Sequence, residues 1–185
     1  APEPVNMTLL AKDCQRLCET QLQFFGYPHP ISNYLFLLNV VSNGLSGLEH
    51  RNSSALQCTR ENLPVVGRKL PRRYVPLLRL IPHEYFHLWW VKRVKPEAFA
   101  LSDLNQEAYS TQLWIFEGMT AYYEDLLLVR AGLISENEFL NLIATNLQSV
   151  EQSAGSRVQS VADSSFDAWI KFYQQEEASL HAVCN

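Results

Sequence analysis

The sequence predicts an α+β domain that is mostly helical, with a small β segment placed before several consecutive helices. Two observations favour this fold class. Strand-like residues are concentrated between residues 33 and 58, whereas apolar residues at helical spacing dominate most of the remaining 185-residue chain. Apolar residues make up 47% of the chain and charged residues only 18%, so we expect a single domain with a substantial buried core.

The first third of the chain combines one helix with the β segment. Residues 6–25 carry leucines at roughly helical spacing, and Gly26 is a suitable helix stop. Residues 33–41 are rich in aromatic and aliphatic side chains, which predicts a strand. The other predictions for this part are a turn at 27–30, a turn at 42–44, an extended segment or second strand at 47–58, and a loop at 61–70.

The remaining two thirds of the chain are predicted to be mainly helical. Ser135 is a suitable N-cap, and Glu138 follows three residues later in the pattern of a capping box. Gly132 marks the end of the preceding helix. The predicted helices lie at residues 75–91, 105–129 and 136–150, with a short final helix at 164–173.

Charge and hydropathy narrow the classes of partner. The formal net charge of −4 argues against nucleic-acid binding, because a protein that binds the phosphate backbone needs a basic face. The short basic clusters are interpreted as solvated loops and helix ends, with a phosphate site as the alternative. Since no apolar run is long enough to span a membrane, we expect neither nucleic acid nor a membrane as a partner.

The four cysteines favour a reducing compartment. They form no C-x-x-C pair, and Cys14 and Cys18 lie four residues apart on the first predicted helix, where a disulfide would be strained. A cytoplasmic location is therefore expected, with the periplasm left open. Because the chain starts without Met or a signal-peptide pattern, we expect residues 1–185 to be one domain trimmed from a longer protein.

The run His83-Glu84-Tyr85-Phe86-His87 matches the pattern H-E-x-x-H. Four residues advance a helix by about 400°, so His83 and His87 project from one face and can share a zinc ion. Glu84 lies about 100° away and can act as general base toward a water whose pKa the metal lowers. A chance pair of histidines is the alternative, but the apolar neighbours predict a buried helix, where unpaired polar groups are costly.

A third metal ligand is expected from the next long helix. Glu117 lies in an apolar run, Trp114 to Gly118, where a carboxylate without a partner would be unfavourable. The alternatives are a surface glutamate or a glutamate paired with an arginine. The set His83, His87 and Glu117 leaves a fourth position for water, as a catalytic zinc site requires.

Two acids farther along the same helix are candidates for orienting a ligand histidine. Glu124 is seven residues after Glu117 and lies on nearly the same helix face, while Asp125 lies to one side. A metal-bound imidazole usually donates its second N–H to a carboxylate or a carbonyl, and either acid could accept it. The alternative is that both are ordinary surface acids.

With these residues, the chain resembles the glycyl aminopeptidase family of zinc peptidases, which is thermolysin-like and uses Glu as the third ligand. The blocks that carry the resemblance are 47–53 (GLEHRNS), 83–96 (HEYFHLWWVKRVKP), 113–133 (LWIFEGMTAYYEDLLLVRAGL) and 164–173 (SSFDAWIKFY). The resemblance implies zinc as cofactor, ligand helices that flank a cleft, and cleavage of N-terminal Gly or Ala from peptides. It also implies an N-terminal β-rich domain and a PDZ-like domain that this chain lacks, so residues 1–185 would be the catalytic domain.

The resemblance further implies how the substrate is held. Residues 47–50 look like the exopeptidase motif of related aminopeptidases, in which Glu49 would bind the free α-ammonium of the peptide. Backbone groups of Gly47 and Leu48 could pair with the peptide as an added strand. By the same resemblance, Tyr173 is a candidate hydrogen-bond donor to the oxyanion of the transition state.

Three features depart from the family near these residues. Ser46 stands where the family has Gly, and Trp90 where it has Asn. Pro82 directly precedes His83, so the helix either starts near Pro82 or bends there. Two alternatives to an aminopeptidase stay open: a catalytically impaired domain that only binds peptides, and an endopeptidase without N-terminal selectivity.

Overall fold

The computed structural model describes residues 4–67, 72–103 and 105–173. The helices and strands, in chain order, are α1 Met7–Phe25, β1 Leu35–Val41, β2 Ser46–Glu49, β3 Ser53–Thr59, α2 Val75–Phe86, α3 Glu97–Leu101, α4 Leu113–Arg130, α5 Glu136–Gln152 and α6 Val161–Phe166. Single helical turns occupy Arg60–Asn62, Arg72–Tyr74, Gly155–Arg157 and Trp169–Tyr173. The predicted α+β class is confirmed: the chain is mostly helical, and its small sheet lies between α1 and α2, before the H-E-x-x-H motif.

The sheet has three strands in the order β1-β3-β2, with β1 parallel and β2 antiparallel to β3. The segment predicted as extended at 47–58 is therefore two strands rather than one. A tight turn separates them, in which the backbone N–H of His50 donates to the carbonyl of Ser53 (2.8 Å). This turn contains neither Gly nor Pro, the residues that usually mark one in a sequence. β2 forms one edge of the sheet and packs against α2.

The prediction for α1 is confirmed at both ends. The side chain of Asn6 accepts a hydrogen bond from the backbone of Leu9 (3.0 Å), which caps the first turn. At the other end Gly26 takes a φ of +74°, a conformation that favours glycine, and its N–H donates to Leu22 (3.0 Å). The buried face of α1 packs against α2.

α2 begins well before the H-E-x-x-H motif. It starts at Val75, with Pro76 in its first turn, where the missing N–H has no helical partner to lose. It then continues through Pro82, so the helix does not start at that proline. The carbonyl of Pro82 accepts a hydrogen bond from the buried side chain of Gln21 (2.8 Å), which ties α1 to the first residue before the motif.

α2 also ends earlier than predicted, at Phe86 instead of residue 91. The backbone N–H groups of Leu88 and Trp89 donate three residues back, which tightens the turn and ends the α-helical pattern. Val91 then takes a φ of +135°, which a β-branched residue rarely adopts. His87 is consequently the C-cap residue of α2 rather than a residue inside the helix.

The helix predicted at 105–129 begins eight residues late, at Leu113, and a short helix, α3, precedes it. Local side-chain bonds explain the delay. The backbone of Asn105 donates to Asp103 (3.0 Å) and that of Gln112 donates to Ser110 (3.1 Å). Such bonds satisfy the backbone in turns and compete with a helix.

The C-terminal predictions hold with one shift of boundary. Gly132 follows α4 with a φ of +63°, and the capping box of Ser135 and Glu138 starts α5, as predicted. The final helix predicted at 164–173 is instead α6 plus the turn Trp169–Tyr173. α6 starts earlier because the side chain of Ser160 caps it by accepting from Asp163 (3.1 Å).

The core lies where α1, α2, α4 and the sheet meet. Its fully buried side chains include Leu17, Cys58, Tyr74, Leu77, Leu78 and Leu128. Within the described ranges, Cys14, Cys18 and Cys58 are free, in line with the prediction, and Cys184 lies outside them. Of the helices that the structure describes, none combines the length and apolar character needed to cross a membrane.

Candidate metal centre

Three side chains from two helices converge beneath the edge strand β2. His83 lies in the last turn of α2, His87 caps that helix, and Glu117 faces them from the first half of α4. Glu117 Oε2 is 3.3 Å from His83 Nε2 and 3.6 Å from His87 Nε2. One ligand atom from each of the three residues lies within 4.8 Å of the others. The structure thus brings together the three residues that the sequence predicted as ligands.

The hydrogen bonds on the far side of each imidazole fix its tautomer. His87 Nδ1 is 2.9 Å from the carbonyl oxygen of Trp90, which can only accept, so Nδ1 carries the proton. His83 Nδ1 is 2.6 Å from Glu124 Oε2, and an ionised carboxylate imposes the same tautomer. In its neutral form, each imidazole therefore presents the lone pair of Nε2 toward Glu117.

This donor set fits a zinc ion. Two neutral imidazole nitrogens and a carboxylate oxygen would repel one another at these distances unless positive charge lies among them. Neighbouring ligands about 2.0–2.1 Å from a tetrahedral zinc lie about 3.4 Å apart, close to the two separations observed. Both imidazoles also have the outer hydrogen bond that metal-binding histidines usually make.

The titration behaviour of the three groups shows the same need for positive charge. Burial opposes charge on the imidazoles, yet Glu117 and Glu124 raise the pKa of His83 to about 10. Burial likewise opposes charge on His87, but Glu117 raises its pKa. In spite of burial, hydrogen bonds from both histidines hold the pKa of Glu117 below its ordinary range. Without a metal, protons on the two imidazoles supply the positive charge next to Glu117.

Glu84 lies beside this set rather than within it. Its side chain is buried, and Oε2 has no hydrogen-bond partner among the described residues. Burial raises the pKa of Glu84 to about 7. A carboxylate whose pKa is near neutrality, with an open acceptor next to the ligand atoms, can take up and release a proton.

Glu124 and Asp125 occupy different places behind the histidines. Glu124 contacts His83 directly, whereas the hydrogen bonds of Asp125 go to Arg79 (2.6 and 3.1 Å) rather than to a histidine. Arg79 also reaches Glu124 Oε1 (2.8 Å) and so joins the two acids. Burial raises the pKa of Asp125 to about 6, although Arg79 opposes that shift.

The predicted substrate-binding residues lie on β2, and one of them, Gly47, lines a cavity of about 270 Å³ together with His83 and Glu84. Glu49 has a carboxylate oxygen within 4.8 Å of ligand atoms of Glu84 and His87. It is already paired, because Lys92 Nζ lies 2.9 Å from Glu49 Oε1. This ion pair was not predicted, since Lys92 follows the motif in an irregular segment.

The backbone of Gly47 passes very close to Glu84. A Cβ atom added to Gly47 would lie 2.1 Å from Glu84 Oε1, so a larger residue there would displace either β2 or the Glu84 carboxylate. The neighbouring side chain of Leu48 is 58% exposed and leaves the site on the other face of the strand. Gly47 and Glu84 both line the cavity and lie in close contact across it.

The remaining predictions concern residues at the edge of the site. Tyr173 ends the last described turn, and its side chain lies outside the described part of the chain. Trp90 does make a polar contact next to the motif, because its indole N–H donates to the carbonyl of Ile115 (3.3 Å). Its ring stacks on Phe116 (5.0 Å between centroids), so the segment that follows α2 packs against α4. Ser46 Oγ lies 3.4 Å from Gln57 on the neighbouring strand.

Sequence reasoning missed Arg79 and the carbonyl of Trp90. Arg79 is four residues before His83 and continues the face of α2 that carries both histidines, so extending the motif by one turn toward the N-terminus would have found it. The Trp90 carbonyl left no such signal, because it depends on where α2 ends.

Comparison with known proteins supports one family. A family model described as M61 glycyl aminopeptidase matches residues 76–185. A crystal structure of an aminopeptidase N family protein from Idiomarina loihiensis is similar, with 42% identity and a TM-score of 0.92. The similarity covers 100% of this chain and 32% of that protein, so the chain spans about a third of its length. Among curated proteins no match was found.

Proposed function

The chain belongs to the M61 glycyl aminopeptidase family, and we propose that it is the catalytic domain of a zinc-dependent aminopeptidase. Membership of this family indicates a hydrolase that acts on peptides. The observation that supports a zinc-dependent mechanism is the convergence of His83, His87 and Glu117, with one ligand atom from each within 4.8 Å of the others. These three residues would hold the metal.

Zinc bound there would supply Lewis-acid polarisation of the scissile carbonyl and a lowered pKa for the attacking water. In this proposal Glu84 Oε2, which has no partner in the described structure, accepts a proton from that water as the new C–O bond forms. Glu84 then delivers the proton to the peptide nitrogen as the C–N bond breaks. A pKa of about 7 suits both transfers, because the group can hold and release the proton near neutral pH.

Glu49 is proposed to select substrates with a free N-terminus. Its carboxylate lies next to Glu84 and His87, where it can bind the α-ammonium of the same residue whose carbonyl reacts. The ammonium of Lys92 at 2.9 Å supports this assignment, since it demonstrates that the carboxylate accepts such a group. The family to which the chain belongs supports a preference for small N-terminal residues, Gly or Ala.

One observation favours a second candidate, an endopeptidase without N-terminal selectivity. If Lys92 keeps Glu49 neutralised during turnover, the carboxylate does not read the substrate amine. Peptides with a free N-terminal Gly or Ala, compared with their N-acetylated forms, separate the two functions. The aminopeptidase cuts only the free peptides, and an endopeptidase cuts both.

The metal assignment has its own experiment. Zinc is measured in the purified protein and in Glu84→Gln, together with hydrolysis of Gly- and Ala-peptides. We expect equal zinc in both and a loss of activity of about 10²–10⁴-fold in Glu84→Gln, the usual contribution of a general base. Loss of zinc from Glu84→Gln would contradict its assignment as a base. Equal zinc without turnover in either protein would favour a domain that only binds peptides.

A further inference from the structure

An arginine that belongs to no recognised motif, Arg79, lies behind the candidate metal centre. Arg79 lies on α2 one turn before His83, and its side chain is 28% exposed. Its guanidinium points at α4, where the side chains of Glu124 and Asp125 are 9% and 0% exposed. An arginine directed at two buried carboxylates next to a candidate metal ligand calls for an explanation.

The contacts of Arg79 leave neither carboxylate free to rotate. Nη2 is 2.8 Å from Glu124 Oε1 and 3.1 Å from Asp125 Oδ2, and Nε is 2.6 Å from Asp125 Oδ1. The second oxygen of Glu124, Oε2, is 2.6 Å from His83 Nδ1. All four carboxylate oxygens therefore have a partner, and the order of contacts is Asp125, Arg79, Glu124, His83.

The planar guanidinium of Arg79 restricts the geometry of this chain of contacts. Two of its N–H groups hold Asp125 in a bidentate pair, which fixes the plane of the guanidinium and hence the direction of the bond to Glu124. The fixed carboxylate of Glu124 then determines the orientation of the His83 ring. Since Asp125 and Arg79 neutralise each other, Glu124 keeps a net negative charge behind His83, which favours a dication on the other side of the ring.

This inference rests on the zinc site proposed above. We propose that Arg79, which Asp125 holds in place, is a positioning residue: it orients the Glu124 carboxylate toward His83. Through this contact it would set the affinity of the site for zinc. The residue acts through Glu124 and His83. Its effect is consequently expected in the zinc dissociation constant of the protein, even where no substrate is present.

The test measures the zinc dissociation constant by competition with a chromophoric chelator. Removing Arg79 alone would leave Asp125 buried and unpaired, so the variant of choice is Arg79→Met combined with Asp125→Asn. We expect this double variant to bind zinc about 10–100-fold more weakly than the parent, as is typical when an outer partner of a metal ligand is lost. Arg79→Lys, which keeps the charge but not the fork, should fall between the two.

A double-mutant cycle tests whether Arg79 acts on zinc affinity through Glu124 or only stabilises the fold. When Glu124→Gln is already present, adding the Arg79→Met and Asp125→Asn changes should alter zinc affinity by less than about twofold, because the route through Glu124 is gone. The matched control is Arg73→Met, which removes an arginine–carboxylate pair with Glu61 that is 69% and 68% exposed. Zinc affinity should not change in this control.

Thermal unfolding of the metal-free proteins completes the design. A purely structural arginine would lower the melting temperature but leave the zinc constant within twofold of the parent, and that result would overturn the inference. An equal loss of affinity with and without Glu124→Gln would overturn it as well. If the double variant does not fold, Arg79→Lys decides by the same criterion.

The outcome for Glu117→Gln distinguishes this inference from the proposed function. If zinc binding by the parent depends on Glu117 and the Arg79 variants keep the parent affinity, only the inference fails. If the parent binds no zinc, or binds it as well with Glu117→Gln, the zinc site itself is wrong and the inference falls with it.

Discussion

The two ends of the candidate site are built in different ways. At the proposed metal end, helices α2 and α4 bring three side chains together, and both imidazoles have an outer partner: Glu124 behind His83 and the Trp90 carbonyl behind His87. At the amine end, Glu49 lies on the edge strand β2 and has one ion pair, to Lys92, with side-chain exposures of 20% and 23%. The contrast leads us to expect a preorganised metal end and, at the proposed amine end, a carboxylate that exchanges Lys92 for the substrate ammonium.

The largest expected effect is a loss of zinc affinity, and it tests whether the proposed metal end and amine end act separately. Glu117→Gln removes a negative ligand from the metal end, and Glu49→Gln makes the same change at the amine end. We expect Glu117→Gln to weaken zinc binding by more than about 100-fold, since even outer partners of a ligand cost 10–100-fold. Glu49→Gln should leave zinc binding unchanged. Equal effects in the chelator competition would mean that the two ends are not distinct.

The next effect tests the point where the two ends meet. Gly47→Ala would place a Cβ atom 2.1 Å from Glu84 Oε1, so either β2 or the carboxylate must move. Because a displacement of about 1 Å in a catalytic group can reduce the rate about 100-fold, we expect a loss of that order in peptide hydrolysis. Zinc content should remain that of the parent.

Gly118→Ala is the matched control for this substitution. Gly118 is next to the ligand Glu117 in α4, but a Cβ atom there meets nothing within 4 Å. The variant should keep full activity and gain about 0.5–1 kcal/mol in the free energy of unfolding, because alanine favours the helix. A loss of activity as large as that of Gly47→Ala would point to general disruption of the site.

A smaller effect is expected where the amine end exchanges its partner. Lys92→Met frees Glu49 for the α-ammonium of a peptide, and partly exposed ion pairs are worth about 0–1 kcal/mol. Glycinamide should therefore bind up to about fivefold more tightly to Lys92→Met by calorimetry, and N-acetylglycinamide should bind equally to both. Lys171→Met, which breaks a comparable pair with Asp167, is the control. Weaker glycinamide binding would show that Lys92 assists the substrate.

The smallest expected effect concerns the pH dependence of the free energy of unfolding, and it comes from Asp13, which lies outside both ends of the site. Burial raises the pKa of Asp13, in spite of the hydrogen bond that it accepts from Tyr74 (3.0 Å). The folded state therefore keeps a proton that the unfolded chain releases near pH 4, so this group makes stability fall as the pH rises above that value. In urea unfolding, Asp13→Asn should show a shallower fall between pH 4 and 7. An unchanged or steeper fall would contradict this sign.

The same contrast explains which parts could be predicted from the sequence. His83, Glu84 and His87 follow from helical spacing, Glu117 follows from the cost of burying an acid in an apolar helix, and Glu124 follows from its place on nearly the same helix face. Local patterns of this kind also gave α1 and α5, whose capping residues are next to them in the sequence.

The remainder depends on where the chain leaves regular structure. α2 ends at Phe86 and Val91 takes a positive φ, and no local signal marks either event. Those two features bring the Trp90 carbonyl to His87 and leave Lys92 beyond the helix, in ion-pair contact with Glu49. The turn between β2 and β3 was also missed, although it contains Asn52 and Ser53, two common turn residues. Long-range partners of irregular segments therefore required the structure.

X-ray absorption at the zinc edge, on the protein loaded with one equivalent of zinc and on Glu117→Gln treated in the same way, tests the zinc site most directly. We predict two imidazole nitrogens and a carboxylate oxygen at about 2.0–2.2 Å in the parent, and loss of the carboxylate in the variant. A sulfur ligand at about 2.3 Å, or identical spectra for the two proteins, would contradict the assignment of His83, His87 and Glu117.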